Sequence, residues 1–110
     1  MIDGLWTVQF HGPQGVGGGV VVLTRGHVLG GDSGFVYAGS YDVKDNTLKG
    51  KISVKNFDPS IANVLGIVGN FDLLLEGQVQ GNSIVGTGAL AIAPTARIVV
   101  RLTKHSDFPA

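Results

Sequence analysis

The sequence predicts an all-β fold, an eight-stranded antiparallel up-and-down β-barrel of calycin or lipocalin-like type with one short helix. Three observations lead there. Apolar and polar residues alternate in repeated runs of strand length, short turn signals separate the runs, and 18 glycines are scattered among β-branched residues over 110 positions. Alternation with period 2 gives each run one face for a core and one for water. Glycine spread in this way, well above the roughly 7% average, fits turns and bends within strands better than a flexible linker.

The first run, "LWTVQF", places Trp6, Val8 and Phe10 on one face and Thr7 and Gln9 on the other, and predicts a strand over 4–11. "GVVVLT" predicts a second over 17–24, entered through a hairpin turn at Pro13–Gln14–Gly15. Arg25–Gly26 then turns the chain into a third strand, 27–31, and Asp32–Ser33–Gly34 into a fourth, 34–43. In that fourth run Phe35, Tyr37 and Tyr41 share a face, while Val36, Ala38 and Ser40 share the other. Both faces are partly apolar, which predicts that the outside of this strand is covered, as in a dimer.

"KDNT" is a hairpin signal, because Asp45 and Asn46 tolerate positive φ. It leads into a strand over 47–57, with Leu48, Ile52 and Val54 opposite Lys49, Lys51, Ser53 and Lys55. In the next segment Asp58 is a candidate N-cap, Pro59 suits a first helical position, and Ile61, Val64 and Leu65 have helical spacing; a short helix is expected over about 59–65. Strands over 70–80, 83–91 and 96–104 complete the chain, the first two joined by a turn at Gly81–Asn82. Connections this short favour an up-and-down meander, which by closing removes its exposed edges. A β-sandwich is the alternative architecture.

At 110 residues the chain is expected to form one domain, 1–110, with a modest core. Eight basic residues balance eight acidic ones. A neutral domain without a basic stripe does not fit direct nucleic-acid binding, which needs clustered Lys and Arg. Cysteine is absent, so disulfides, thiolate catalysis and Cys-ligated metals are excluded. "MIDGLWTVQF" lacks the basic and apolar regions of a signal peptide. No apolar run approaches the ~20 residues of a membrane-spanning helix. The expectation is a cytoplasmic protein with no membrane association.

The motifs that would carry chemistry are incomplete. "GPQGVGGG" has Val20 where a dinucleotide fingerprint needs its third glycine and Gly18 where a P-loop needs lysine, and a strand follows instead of a helix. His11, His27 and His105 have no partner at metal-binding spacing, so no metal and no cofactor is expected. "GDSG" at 31–34 has the letters of a serine-protease motif in a chain too short for that fold, and Asp32 reads as the cap of a glycine turn. The expected protein is not an enzyme. An eight-stranded barrel has an interior that side chains fill or that holds one small ligand. If it holds an apolar ligand, the lining falls to Trp6, Val8, Phe10, Tyr37, Tyr41 and Leu73.

The order of several marks along the chain adds a further reading. Asp3–Gly4 and Trp6, Gly17 and Gly19 before an apolar strand, "GGD" at Gly30–Asp32, Tyr37 and Gly39, and Pro59–Ser60 together cover nearly the whole sequence. In these the chain resembles the GrlR-type negative regulators of type III secretion. The resemblance implies a lipocalin-like barrel, a homodimer and a regulatory role without catalysis, exerted by binding a partner protein such as a transcriptional activator. Those regulators carry an acidic run, Glu-Asp-Glu-Asp, after the strand that corresponds to "YAGSYDV", and it contributes to activator recognition. Here that place reads "DVKDNT". Asp42 and Asp45 remain, Lys44 and Asn46 interrupt them, and this turn is the expected partner surface in altered form, without activator binding carried over.

Overall fold

The computed structural model describes residues 2–61 and 69–108. Eight strands follow one another: β1 (Gly4–Gly12), β2 (Gly15–Thr24), β3 (His27–Gly31), β4 (Phe35–Lys44), β5 (Thr47–Asn56), β6 (Phe71–Gln80), β7 (Ser83–Leu90) and β8 (Ala93–Ser106). Each pairs antiparallel with the next, and β8 returns to β1, so the sheet closes into a barrel. A sandwich is thereby excluded, since every ladder belongs to a single closed sheet.

The turns show why the register holds. Asp45 and Asn46 both have positive φ (52° and 63°), as do Arg25 and Gly26 (50° and 82°). Two positive φ values in a two-residue loop are the type I′ pattern, whose twist matches that of the flanking strands. With Lys44 opposite Thr47 and Thr24 opposite His27, the parity of each strand is set at its end. The odd residues of β4 and the even residues of β5 then face inward together.

Three boundaries differ from the sequence reading. β1 and β2 extend until Gly12 pairs with Gly15, leaving only Pro13–Gln14 as the loop. β8 starts at Ala93, not near residue 96, because Ala91–Ile92 form a tight connection and Pro94 lies near the strand's start, where a missing N–H is tolerated. At the expected helix, the described residues 59–61 form a turn. The Ile61 N–H donates to the Asp58 carbonyl (3.0 Å), and the Asp58 carboxylate accepts from the Ser60 N–H (3.0 Å) and hydroxyl (2.7 Å). The remainder of that expected helix, 62–65, lies outside the described residues.

Inward positions hold the core: Trp6, Val21, Leu23, Val28, Leu48, Ile52, Ile84 and Val100 are all buried. Trp6 is fully buried, and its indole N–H donates to the Ile2 carbonyl (2.8 Å), which draws the N-terminal segment across one end of the barrel. Inward positions also include glycines. At Gly86 a Cβ would overlap the Glu76 carbonyl oxygen and lie 2.5 Å from Gly77 Cα, so β6 and β7 approach there more closely than a side chain allows. Gly17 and Gly19 face inward and Gly18 outward, as their partners Phe10, Val8 and Gln9 show. A Cβ at Gly17 would overlap the Phe10 ring, and one at Gly19 would lie 2.7 Å from the Gly31 carbonyl oxygen. The glycine-rich stretch is a strand pressed by an aromatic ring and by its neighbour's backbone.

Candidate functional site: an apolar cavity with a polar mouth

The interior is not filled. A cavity of about 310 Å³ runs along the barrel interior, from Asp32 and Phe71 at one end to Leu23 and Leu48 towards the other. That volume is near the lower end of the ~300–1,000 Å³ range of small-molecule sites. Its deep wall is aliphatic, with Leu23, Leu48, Ile84 and Val100 among its residues, and Phe10, Tyr37 and Phe71 stand nearer the mouth. Phe10 and Tyr37 meet edge to face, with ring centroids 6.5 Å apart and planes at 80°.

The mouth is built by two loops tied to each other. In the β3–β4 loop, Asp32 Oδ1 accepts from the Gly34 and Phe35 N–H groups, both at 2.9 Å. The Tyr37 hydroxyl donates to Asp32 Oδ2. The Gly34 carbonyl then accepts from the Phe57 N–H (3.0 Å) and the Asn56 side-chain amide (3.1 Å), which binds the β5–β6 connection to this loop. Ile61 packs against Gly34 and contributes to the rim with Ser33.

Burial holds the Tyr37 phenol far above the ordinary tyrosine range. The hydrogen bond to Asp32 and that carboxylate's negative charge act in the same direction. Tyr37 is therefore a neutral hydroxyl donor at any physiological pH. Burial also raises the Tyr41 phenol; a Gly26 backbone hydrogen bond works against the rise, and the charge of Asp3 adds to it.

Of the residues the sequence places at a ligand site, Val8, Phe10, Tyr37, Tyr41 and Leu73 line this cavity, whereas Trp6 is fully buried and is not among its lining residues. Asp32, Ser33 and Ile61 were not among them. The short Gly-Gly-Asp sequence signals a capped turn, but nothing local to it says that the turn closes onto the barrel mouth. Asp42, Lys44, Asp45 and Asn46 are exposed at the β4–β5 turn, at the opposite end from the mouth. Asp42 stands across from Lys49 in the ladder, so this end presents mixed charge.

On the outer face, Val20, Leu29 and Val36 are 47%, 56% and 46% exposed on adjoining strands, with Val22 and Ala38 beside them. Among the described residues no group of three or more His, Asp or Glu side chains could hold a metal ion, and no helix is long and apolar enough to cross a membrane. No curated protein matches the chain. The family model described as T3SS negative regulator, GrlR, matches residues 1–106, spanning every strand of the barrel and both mouth loops; the chain belongs to the GrlR family.

Proposed function

We propose that this member of a negative-regulator family acts by binding and without catalysis, and that its barrel is the receptor for one small apolar molecule. The observation that carries this is the cavity of about 310 Å³, walled by aliphatic and aromatic side chains. A site of that size accommodates a single-chain or single-ring-system ligand and is too small for a two-chain lipid. The lipocalin-like comparison drawn from the sequence supports the same reading.

The neutral dye N-phenyl-1-naphthylamine tests it. Its fluorescence is expected to rise on binding the wild-type protein and to stay low with Leu73→Trp, which fills the cavity from the β6 wall. Unchanged dye binding by a folded Leu73→Trp protein would count against the cavity as the site.

A second reading rests on the outer face of β2–β4. Val20, Leu29 and Val36 form a contiguous apolar surface suited to a second copy of the chain, as the dimer expected from β4 requires. Analytical ultracentrifugation of wild type and Leu29→Lys examines it, with a shift from dimer to monomer expected. A wild-type monomer at micromolar concentration would rule it out. Regulation in this reading involves a protein partner, in a cytoplasmic setting and with no direct contact to nucleic acid or membrane. The altered turn at Asp42–Asn46 is the candidate contact.

A further inference from the structure

Among the described residues, the mouth of the cavity carries one carboxylic acid and no base. Asp32 lies on the rim, and Ser33, Tyr37 and Tyr41 supply the other polar groups of the described lining. The segment 62–68, outside the described residues, contains no Lys, Arg or His by sequence. Basic residues near this end belong to the outer face. His11 alternates with the inward Phe10, Lys55 stands opposite the outward Val36, and Arg97 is exposed and donates to the Pro94 carbonyl at 3.2 Å. Among the described residues nothing positive lines the mouth to meet an anionic head group.

The carboxylate has capacity left. Its two oxygens offer about four acceptor positions. Two on Oδ1 take the Gly34 and Phe35 N–H groups, and one on Oδ2 takes the Tyr37 hydroxyl. One acceptor position on Oδ2 is thus unassigned, on a carboxylate held in place by three hydrogen bonds. A fixed carboxylate at the edge of an apolar cavity repels an anion and accepts a hydrogen bond from a donor.

Taking the cavity as the ligand site proposed above, we infer that it selects an apolar molecule whose polar end donates hydrogen bonds, a neutral alcohol or an alkyl amine, and rejects fatty acids and other anionic amphiphiles. The apolar portion lies against Leu48, Ile52, Leu73 and Val100, and the donor reaches Asp32 Oδ2. Selectivity then comes from the mouth, because the deep wall is indifferent to the head group.

The test compares n-decanol, n-decylamine and n-decanoate, of matched chain length, in displacing N-phenyl-1-naphthylamine near neutral pH below their aggregation concentrations. Decanol and decylamine are expected to displace the dye at roughly tenfold lower concentration than decanoate, or better. In Asp32→Asn, which keeps an Oδ1 acceptor for the turn, that gap is expected to narrow mainly through improved decanoate binding. Decanoate competing as well as decanol with the wild type would overturn the selectivity and leave the cavity reading intact. Failure of the dye and all three ligands to bind would overturn both. Should Asp32→Asn fail to fold, the wild-type comparison decides alone.

Discussion

Gly86→Ala and Gly18→Ala add the same methyl group to two glycines of the same barrel, and opposite effects are expected. At Gly86 the new Cβ meets β6 itself, overlapping the Glu76 carbonyl oxygen and lying 2.5 Å from Gly77 Cα. Backbone in a hydrogen-bonded ladder cannot step aside as a side chain can. Overpacking of this kind costs about 1–3 kcal/mol. The loss of freedom in the unfolded chain returns only about 0.4–1 kcal/mol. The net is a destabilisation of roughly 1–2 kcal/mol. At Gly18 the methyl points outward and its nearest neighbour is the Val8 carbonyl oxygen at 3.4 Å, an ordinary contact. There only the unfolded-state effect remains, a gain of about 0.4–1 kcal/mol. With about 4–8 °C of Tm per kcal/mol for a domain near this size, the two variants should melt roughly 10–20 °C apart. Thermal unfolding followed by far-UV circular dichroism reads this directly. Equal melting temperatures, or a less stable Gly18→Ala, would refute the assignment of inward and outward glycines.

Two further outcomes follow from other residues. Tyr37 has a folded-state pKa raised above its ordinary value of about 10, so the folded state holds its proton more tightly than the unfolded state does. Its contribution to stability is complete below about pH 10 and is lost as pH rises above it; Tyr41 shifts the same way. Urea midpoints should be level through neutral pH and fall in alkali, with a shallower fall in Tyr37→Phe, and an identical alkaline profile for that variant would contradict the assignment. Asn46 has φ 63° in the β4–β5 turn, so Asn46→Gly should raise Tm by a few degrees and Asn46→Val should lower it. A gain from valine would show that the turn is not of the type described.

Much of the barrel is legible in local sequence because local physics sets it. The alternation in 47–56 and 71–80 decides which side chains face the core, and Asp45–Asn46 and Arg25–Gly26 name their turn type. The ends of β8 are hidden by Pro94, which argues against a strand unless it sits near the start of one. The depth of each inward residue is hidden more completely. Trp6 and Phe10 occupy equivalent positions in the same alternation, yet Trp6 is fully buried in the core and Phe10 lines the cavity. That difference depends on the stagger between strands, which is non-local, and on the N-terminal segment that brings the Ile2 carbonyl to the Trp6 indole. The same holds for Asp32: the sequence identifies the turn it caps, but the mouth depends on the tie from that turn to Asn56 and Phe57, more than twenty residues on.

The order of strand pairing has a kinetic side. Seven ladders join strands that are neighbours in sequence; six can form as hairpins across loops of two or three residues, and β5–β6 across the longer 57–70 connection. The eighth joins Leu5–His11 to Val99–Ser106, from the first and last strands. Closing a loop of that length carries the largest entropic cost among the ladders, and nothing rewards it until most of the meander is in place. Until then β1 and β8 are bare edges with unpaired N–H and C=O groups, able to pair with another unfinished copy. The closed sheet is protected from edge-to-edge association only from the moment its last ladder forms, and crowding during refolding acts on that single interval.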